Sequence, residues 1–199
     1  MRSKRSRTPA ARRWSRWPAR SRRLPATADT LRRGAALVAV LTPLALLAGA
    51  WSFQWWGGLV ACEMCWWQRY AHIAALALAL AGVVAAAIRP RLQAPLIALA
   101  ALAIATSAAI GLYHAGVEYG WWHGVTACTS EVRFGHGDPL AAIMATPVVR
   151  CDEVQWQWGG ISLAGFNFLI SGAAAAMVLA LLAAARRRAA WARAPTSRR

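Results

Sequence analysis

Four long apolar runs, 34–56, 66–88, 94–116 and 161–185, divide the chain, with polar stretches between them and at both ends. Each is close to the ~20 residues a helix needs to cross the ~30 Å hydrocarbon core of a bilayer. No strand-like alternation interrupts them, and no internal repeat is evident. The pattern predicts an all-α integral membrane protein, a bundle of four transmembrane helices over residues 31–186. Residues 1–30 hold too few apolar side chains to bury and are expected to be a disordered basic tail; residues 187–199 form a second basic tail. The first run is too long for a signal-peptide core and lacks an Ala-x-Ala site after it, so it is read as a mature span, kinkable at Pro43. Between spans lie two loops on one side, 57–65 and 117–160. In the longer loop Asp138 is a natural N-cap, Pro139 suits the first helical position, and Leu140, Ile143 and Met144 make an apolar stripe that ends at Pro147. A short helix lying on the membrane surface is expected there.

Charge orients this bundle. The chain carries a net +16 while 58% of its residues are hydrophobic, a conflict for a soluble domain that disappears if the apolar residues lie in lipid. All but three of the 23 basic residues sit at the two ends of the chain, up to Arg33 and from Arg186 onward, or in the Arg89-Pro90-Arg91 turn. The exceptions, Arg69, Arg133 and Arg150, share the other side with six of the seven acids. The positive-inside rule therefore expects both termini in the cytoplasm. Nucleic-acid binding is the other common meaning of such charge, but no basic, aromatic-bearing fold lies between the arginine clusters. Trp51, Trp55, Trp56, Trp66, Trp67, Trp121, Trp122, Trp156 and Trp158 fall at the outer boundary, as an interfacial aromatic belt should. All four cysteines, Cys62, Cys65, Cys128 and Cys151, fall there too, where an oxidising space permits disulfides.

Candidate chemistry centres on Cys62-x-x-Cys65, in a short turn between two spans with Arg69 four residues further on. If Cys65 opens a helix, its thiol and the Arg69 guanidinium share one face, and a helix N-terminus beside a cation favours the thiolate. Four cysteines allow three pairings, and spacing alone does not choose among them. A redox-active pair, an inert structural disulfide and a metal site using His114, His123 or His136 all remain open. Against metal stands the spacing of Cys128 and Cys151, which is not that of a zinc knuckle. Against an inert staple stands the small loop that a Cys62–Cys65 bridge would close, which contributes little chain entropy. His72, one turn past Arg69, either lines a pocket or packs between helices; Asn167, Ser171 and Gly172 read as helix-packing residues.

The motif Cys62-x-x-Cys65-x-x-Gln68-Arg69 between the first two of four spans resembles the DsbB family, disulfide bond formation protein B. A second cysteine pair in the long outer loop and the entry to the last span at Gly160-Ile161-Ser162-Leu163-Ala164-Gly165-Phe166-Asn167 are similar to it as well. Ala61 and Phe166 depart from the proline and tryptophan common in that family. The resemblance implies a thiol:quinone oxidoreductase of the bacterial inner membrane that oxidises a periplasmic, DsbA-like thioredoxin-fold dithiol and reduces ubiquinone or menaquinone. It implies redox-active disulfides Cys62–Cys65 and Cys128–Cys151 as catalytic groups, with Arg69 and His114 beside the quinone. A membrane metal-binding or transport protein is the alternative from a different class.

Overall fold

A computed structural model describes residues 26–125 and 150–193 and contains four long helices: α1 (Ala26–Trp55), α2 (Glu63–Ile88), α3 (Pro90–Glu118) and α4 (Leu163–Trp191). All four are long and apolar enough to cross a membrane. The all-α bundle of four membrane-spanning helices is thus the observed fold. Cys128, His136 and the surface helix expected over 138–147 lie outside the described residues.

The helices outrun the apolar segments. α1 begins at Ala26 although its apolar run starts at 34, and α4 continues to Trp191 through three arginines. Good helix formers explain the extension, reinforced by an Asp29–Arg33 pair one turn apart. Ala28 and Ala189 are buried, so the extra turns also pack. The part of the tail from Ala26 to Thr30, expected to be disordered, is therefore helical.

Around the bundle α1 packs on α2, α2 on α3, α3 on α4 and α4 on α1, while α1 and α3 meet only slightly across the diagonal. Alanine builds the interior: Ala35, Ala39, Ala79, Ala100 and Ala101 are buried with Ile97, Val178 and Leu182. Small side chains permit close backbone approach, which supplies the packing that drives helix association in lipid. The larger apolar residues Leu37, Leu41, Val84, Leu99, Leu102 and Met177 point outward, as lipid-facing positions should. Gly111 marks a close approach of α3 to α4 beside the site. A Cβ there would stand 3.0 Å from the Ala164 carbonyl and 2.9 Å from Asn167 Nδ2.

Short connections hold the ends. Arg89 alone separates α2 from α3, and Pro90 takes the first helical position, where its missing N–H costs nothing. At the opposite end a small hairpin, β1 (Gln157–Trp158) and β2 (Ile161–Ser162), leads into α4. Its turn is Gly159-Gly160, both with positive φ (59° and 79°), as a tight two-residue hairpin demands. The Tyr119 hydroxyl donates to the Gly160 carbonyl at 3.0 Å and accepts from the Ser162 N–H at 2.8 Å, tying this hairpin to the end of α3. Ser162 then caps α4 by accepting from the Gly165 N–H.

Candidate functional site

Helix α2 begins with its cysteines. Cys62 is the N-cap, its sulfur accepting from the Cys65 backbone N–H at 3.3 Å, so the helix opens at Glu63 and Cys65 occupies the third helical position. Cys62 takes the cap because its extended backbone and side-chain acceptor suit that position, and Cys65 falls in the first turn. Both cysteines are thiols here, with the sulfurs 2.9 Å apart and Cys62 donating to Cys65. The two sulfurs, expected as a redox-active pair, are thus in direct contact. That hydrogen bond, together with burial, pushes the Cys62 thiol well above its ordinary range.

Two further groups converge on this cap from distant parts of the chain. Cys151 is buried, disulfide-bonded, and packed with Cys62, Met64 and Val117. His114 reaches in from α3 with Nε2 3.6 Å from Cys62 Sγ. The ligating atoms of Cys62, His114 and Cys151 all lie within 4.8 Å of one another.

Below the cap, α2 and its neighbours enclose a cavity of about 410 Å³, a volume typical of small-molecule sites. Its walls come from all four helices and both loops, and include Cys62, Cys65, Arg69, His72, His114 and Asn167. From Cys62 to His72 the lining follows α2 for about 15 Å, at 1.5 Å per residue. Phe53, Trp156, Trp158 and Phe166 form an aromatic rim on the α1–α4 side, linked by ring contacts.

Arg69 is buried in this wall. Its guanidinium donates to Gln54 Oε1 at 2.6 Å and to the Ala50 carbonyl at 3.3 Å, and lies 5.0 Å above the Trp66 ring. Both oxygen partners are neutral, and among the described residues no carboxylate lies within ion-pair reach of it. A buried cation held by neutral acceptors keeps its charge available to a ligand in the cavity.

Three residues matter more than the sequence indicated. Asn167, read as a packing residue, lines the cavity and bonds Gln68, Ser107 and His72. His72 faces the cavity and also packs, meeting Asn167 Oδ1 at 2.9 Å. Glu118 is the third; its side chain is buried, with Oε1 3.8 Å from His114 Nε2 and, among the described residues, no hydrogen-bond partner for Oε2. An acid four residues after His114 at the end of an apolar helix was the available signal. His123 lies outside the cavity, its carbonyl accepting from the Tyr113 hydroxyl.

A family model described as disulfide bond formation protein DsbB matches residues 32–182. The chain belongs to the DsbB family. The match runs from the first turns of α1 to the last turns of α4, so it includes every described site residue. Comparison with curated proteins and with solved structures returned no match. DsbB membership assigns disulfide bond formation by thiol oxidation, and the four spanning helices make this a multi-pass membrane protein.

Proposed function

We propose that this DsbB-family protein oxidises the dithiol of a periplasmic, DsbA-like thioredoxin-fold protein and passes the electrons to a membrane quinone. The observation that carries the reading is the meeting of the Cys62–Cys65 pair with Cys151 on one side and a cavity lined by Arg69 on the other. The cysteine end of the bundle would face the periplasm of a bacterial inner membrane, with both termini in the cytoplasm, where the arginine clusters belong.

The thiol chemistry balances as follows. A partner thiolate attacks Cys128 of a Cys128–Cys151 disulfide, forming a mixed disulfide and releasing Cys151 as thiolate. Cys151 attacks Cys62, breaking the Cys62–Cys65 bond, and Cys65 leaves with the electron pair. The partner's second thiolate then attacks its own sulfur in the mixed disulfide and leaves oxidised. The freed Cys128 attacks Cys151, which restores the Cys128–Cys151 bond and expels Cys62. The net result is one oxidised partner and the Cys62/Cys65 dithiol. A disulfide relay of this kind feeding quinone is what keeps a periplasm oxidising.

The cavity suits a quinone headgroup in size, in its apolar and aromatic walls, and in its unneutralised guanidinium. A bound quinone supplies a two-electron, two-proton acceptor. Cys65, at the third position of α2, lines the cavity that would hold it, and re-forming the Cys62–Cys65 bond would release the two electrons such a group takes up. Arg69 would donate hydrogen bonds where negative charge develops on such a group. His114, beside the sulfurs, would donate a hydrogen bond to sulfur as it takes on negative charge.

A soft metal ion would also fit Cys62, His114 and Cys151 by distance. Cys151, however, is disulfide-bonded, and a metal ligand must be a thiolate. The test is anaerobic quinone reduction by the purified protein with a reduced thioredoxin-fold dithiol, followed by quinone absorbance, beside Cys65→Ser and Cys128→Ser. Turnover that both variants abolish is the expected result. Absence of turnover with ubiquinone and menaquinone analogues, with metal retained through purification, would replace this reading with the metal-binding one.

A further inference from the structure

The two buried histidines belong to one hydrogen-bond chain, and two backbone carbonyls dictate its polarity. A carbonyl oxygen only accepts, so whichever amide end faces it must be nitrogen. Asn167 Nδ2 lies 3.1 Å from the Ser107 carbonyl and 2.7 Å from Gln68 Oε1. That contact orients the Asn167 amide and leaves its Oδ1 toward His72 and Ser171. Gln68 Nε2 lies 3.2 Å from the Met64 carbonyl, which orients the second amide in the same way. The two assignments agree, because Asn167 Nδ2 then donates to Gln68 Oε1.

Consequences for the histidines follow. Gln68 Nε2, a donor, sits 3.0 Å from His114 Nδ1, so that ring nitrogen must accept. The His114 proton is therefore on Nε2, the nitrogen that faces Cys62 Sγ at 3.6 Å and Glu118 Oε1 at 3.8 Å. At the other end Asn167 Oδ1, an acceptor, sits 2.9 Å from His72 Nε2, so His72 also carries its proton on Nε2. Its Nδ1 is left bare and has no hydrogen-bond partner among the described residues.

We infer that Gln68 and Asn167 are positioning residues that lock His114 in its Nε2–H tautomer, so that it presents a donor, not a base, to the cysteine pair. The geometric inference stands on its own; its link to turnover rests on the function proposed above. A donor at that place stabilises sulfur as it takes on negative charge during exchange, and a bare nitrogen there would oppose it. Misorienting the ring would slow the sulfur chemistry and leave the Arg69 side of the cavity intact. A histidine placed by a second residue in this way is common at metal and triad sites, where the hydrogen bond to one ring nitrogen sets the role of the other.

The test reads the tautomer directly. Full-length protein with ¹⁵N-labelled histidine, in detergent micelles, is examined by multiple-bond ¹H–¹⁵N correlation, with the Cys62/Cys65 pair reduced. In the wild type His114 should show a protonated Nε2 and a bare Nδ1. Gln68→Met removes the donor, and the Nδ1–H form should become populated. The same variant should lower kcat for quinone reduction roughly tenfold, the loss of one hydrogen bond to a charged group, while KM for quinone stays within twofold. A wild-type His114 protonated on Nδ1, or a Gln68→Met protein whose His114 keeps a bare Nδ1, overturns the inference. The wild-type spectrum decides even if the variant fails to fold. A correct tautomer in a protein that reduces no quinone would leave this inference standing and remove the proposed function instead.

Discussion

Replacing Arg69 with methionine tests whether the cavity is built around its charge. The guanidinium spends two donors on Gln54 Oε1 and the Ala50 carbonyl, which hold it as a fork against the wall. Its remaining N–H groups and full charge face a cavity with no competing carboxylate in ion-pair reach among the described residues. A hydrogen bond to a group gaining negative charge contributes about 1.5–3 kcal/mol, or roughly ten- to hundredfold in kcat/KM for quinone. Gln54 is only partly buried, so its orphaned oxygen can find water and the fold should survive. Arg69→Lys keeps the charge but loses the planar fork, and should recover only part of the loss. The assay is anaerobic quinone reduction at varied quinone concentration, paired with a quinone-free single turnover that follows oxidation of the partner dithiol. The variant should fail in the first and behave normally in the second. Quinone kinetics within twofold of wild type would refute the placement of Arg69 at the quinone.

Two further outcomes follow from the geometry. Gly111→Ala sets a Cβ 3.0 Å from the Ala164 carbonyl and 2.9 Å from Asn167 Nδ2, so α4 must shift and the Asn167 bonds must stretch; overpacking of this kind costs about 1–3 kcal/mol, visible as a lower midpoint of thermal unfolding in micelles, and an unchanged midpoint would contradict the crossing described. Because burial and its hydrogen bond to Cys65 hold the Cys62 thiol protonated above its usual range, iodoacetamide on the reduced protein should label Cys65 first at pH 7.5, and raising the pH to 9 should add little label at Cys62. Peptide mass spectrometry reads both sites, and equal labelling at pH 7.5 would contradict the arrangement.

Much of this protein is legible in local pattern. Span number, the side on which the arginines gather, the tryptophan belt and the Cys62-x-x-Cys65 turn with Arg69 one helical turn beyond all depend on residues close in sequence. Lipid enforces such features strongly, since an unpaired backbone or a stray charge in hydrocarbon costs several kcal/mol. The cap itself was not legible there: that Cys62 caps α2 depends on backbone angles that the motif does not encode.

What only the tertiary structure decided is which faces meet. Cys151 reaches Cys62 from a distant loop, His114 arrives from α3, Gln54 takes the guanidinium from α1, and Asn167 joins His72, Gln68 and Ser107 from α4. Asn167 looked like a packing residue because small and polar side chains serve both purposes in membrane helices, and only rotation about the helix axis tells them apart. That rotation is set by where alanines and glycines let backbones close, as at Gly111. The sequence by itself determined how many helices cross the membrane, which end gathers the arginines and which the sulfur. Packing decided the donor and acceptor order inside, because hydrogen-bond direction is a property of the assembled contacts and not of any one residue.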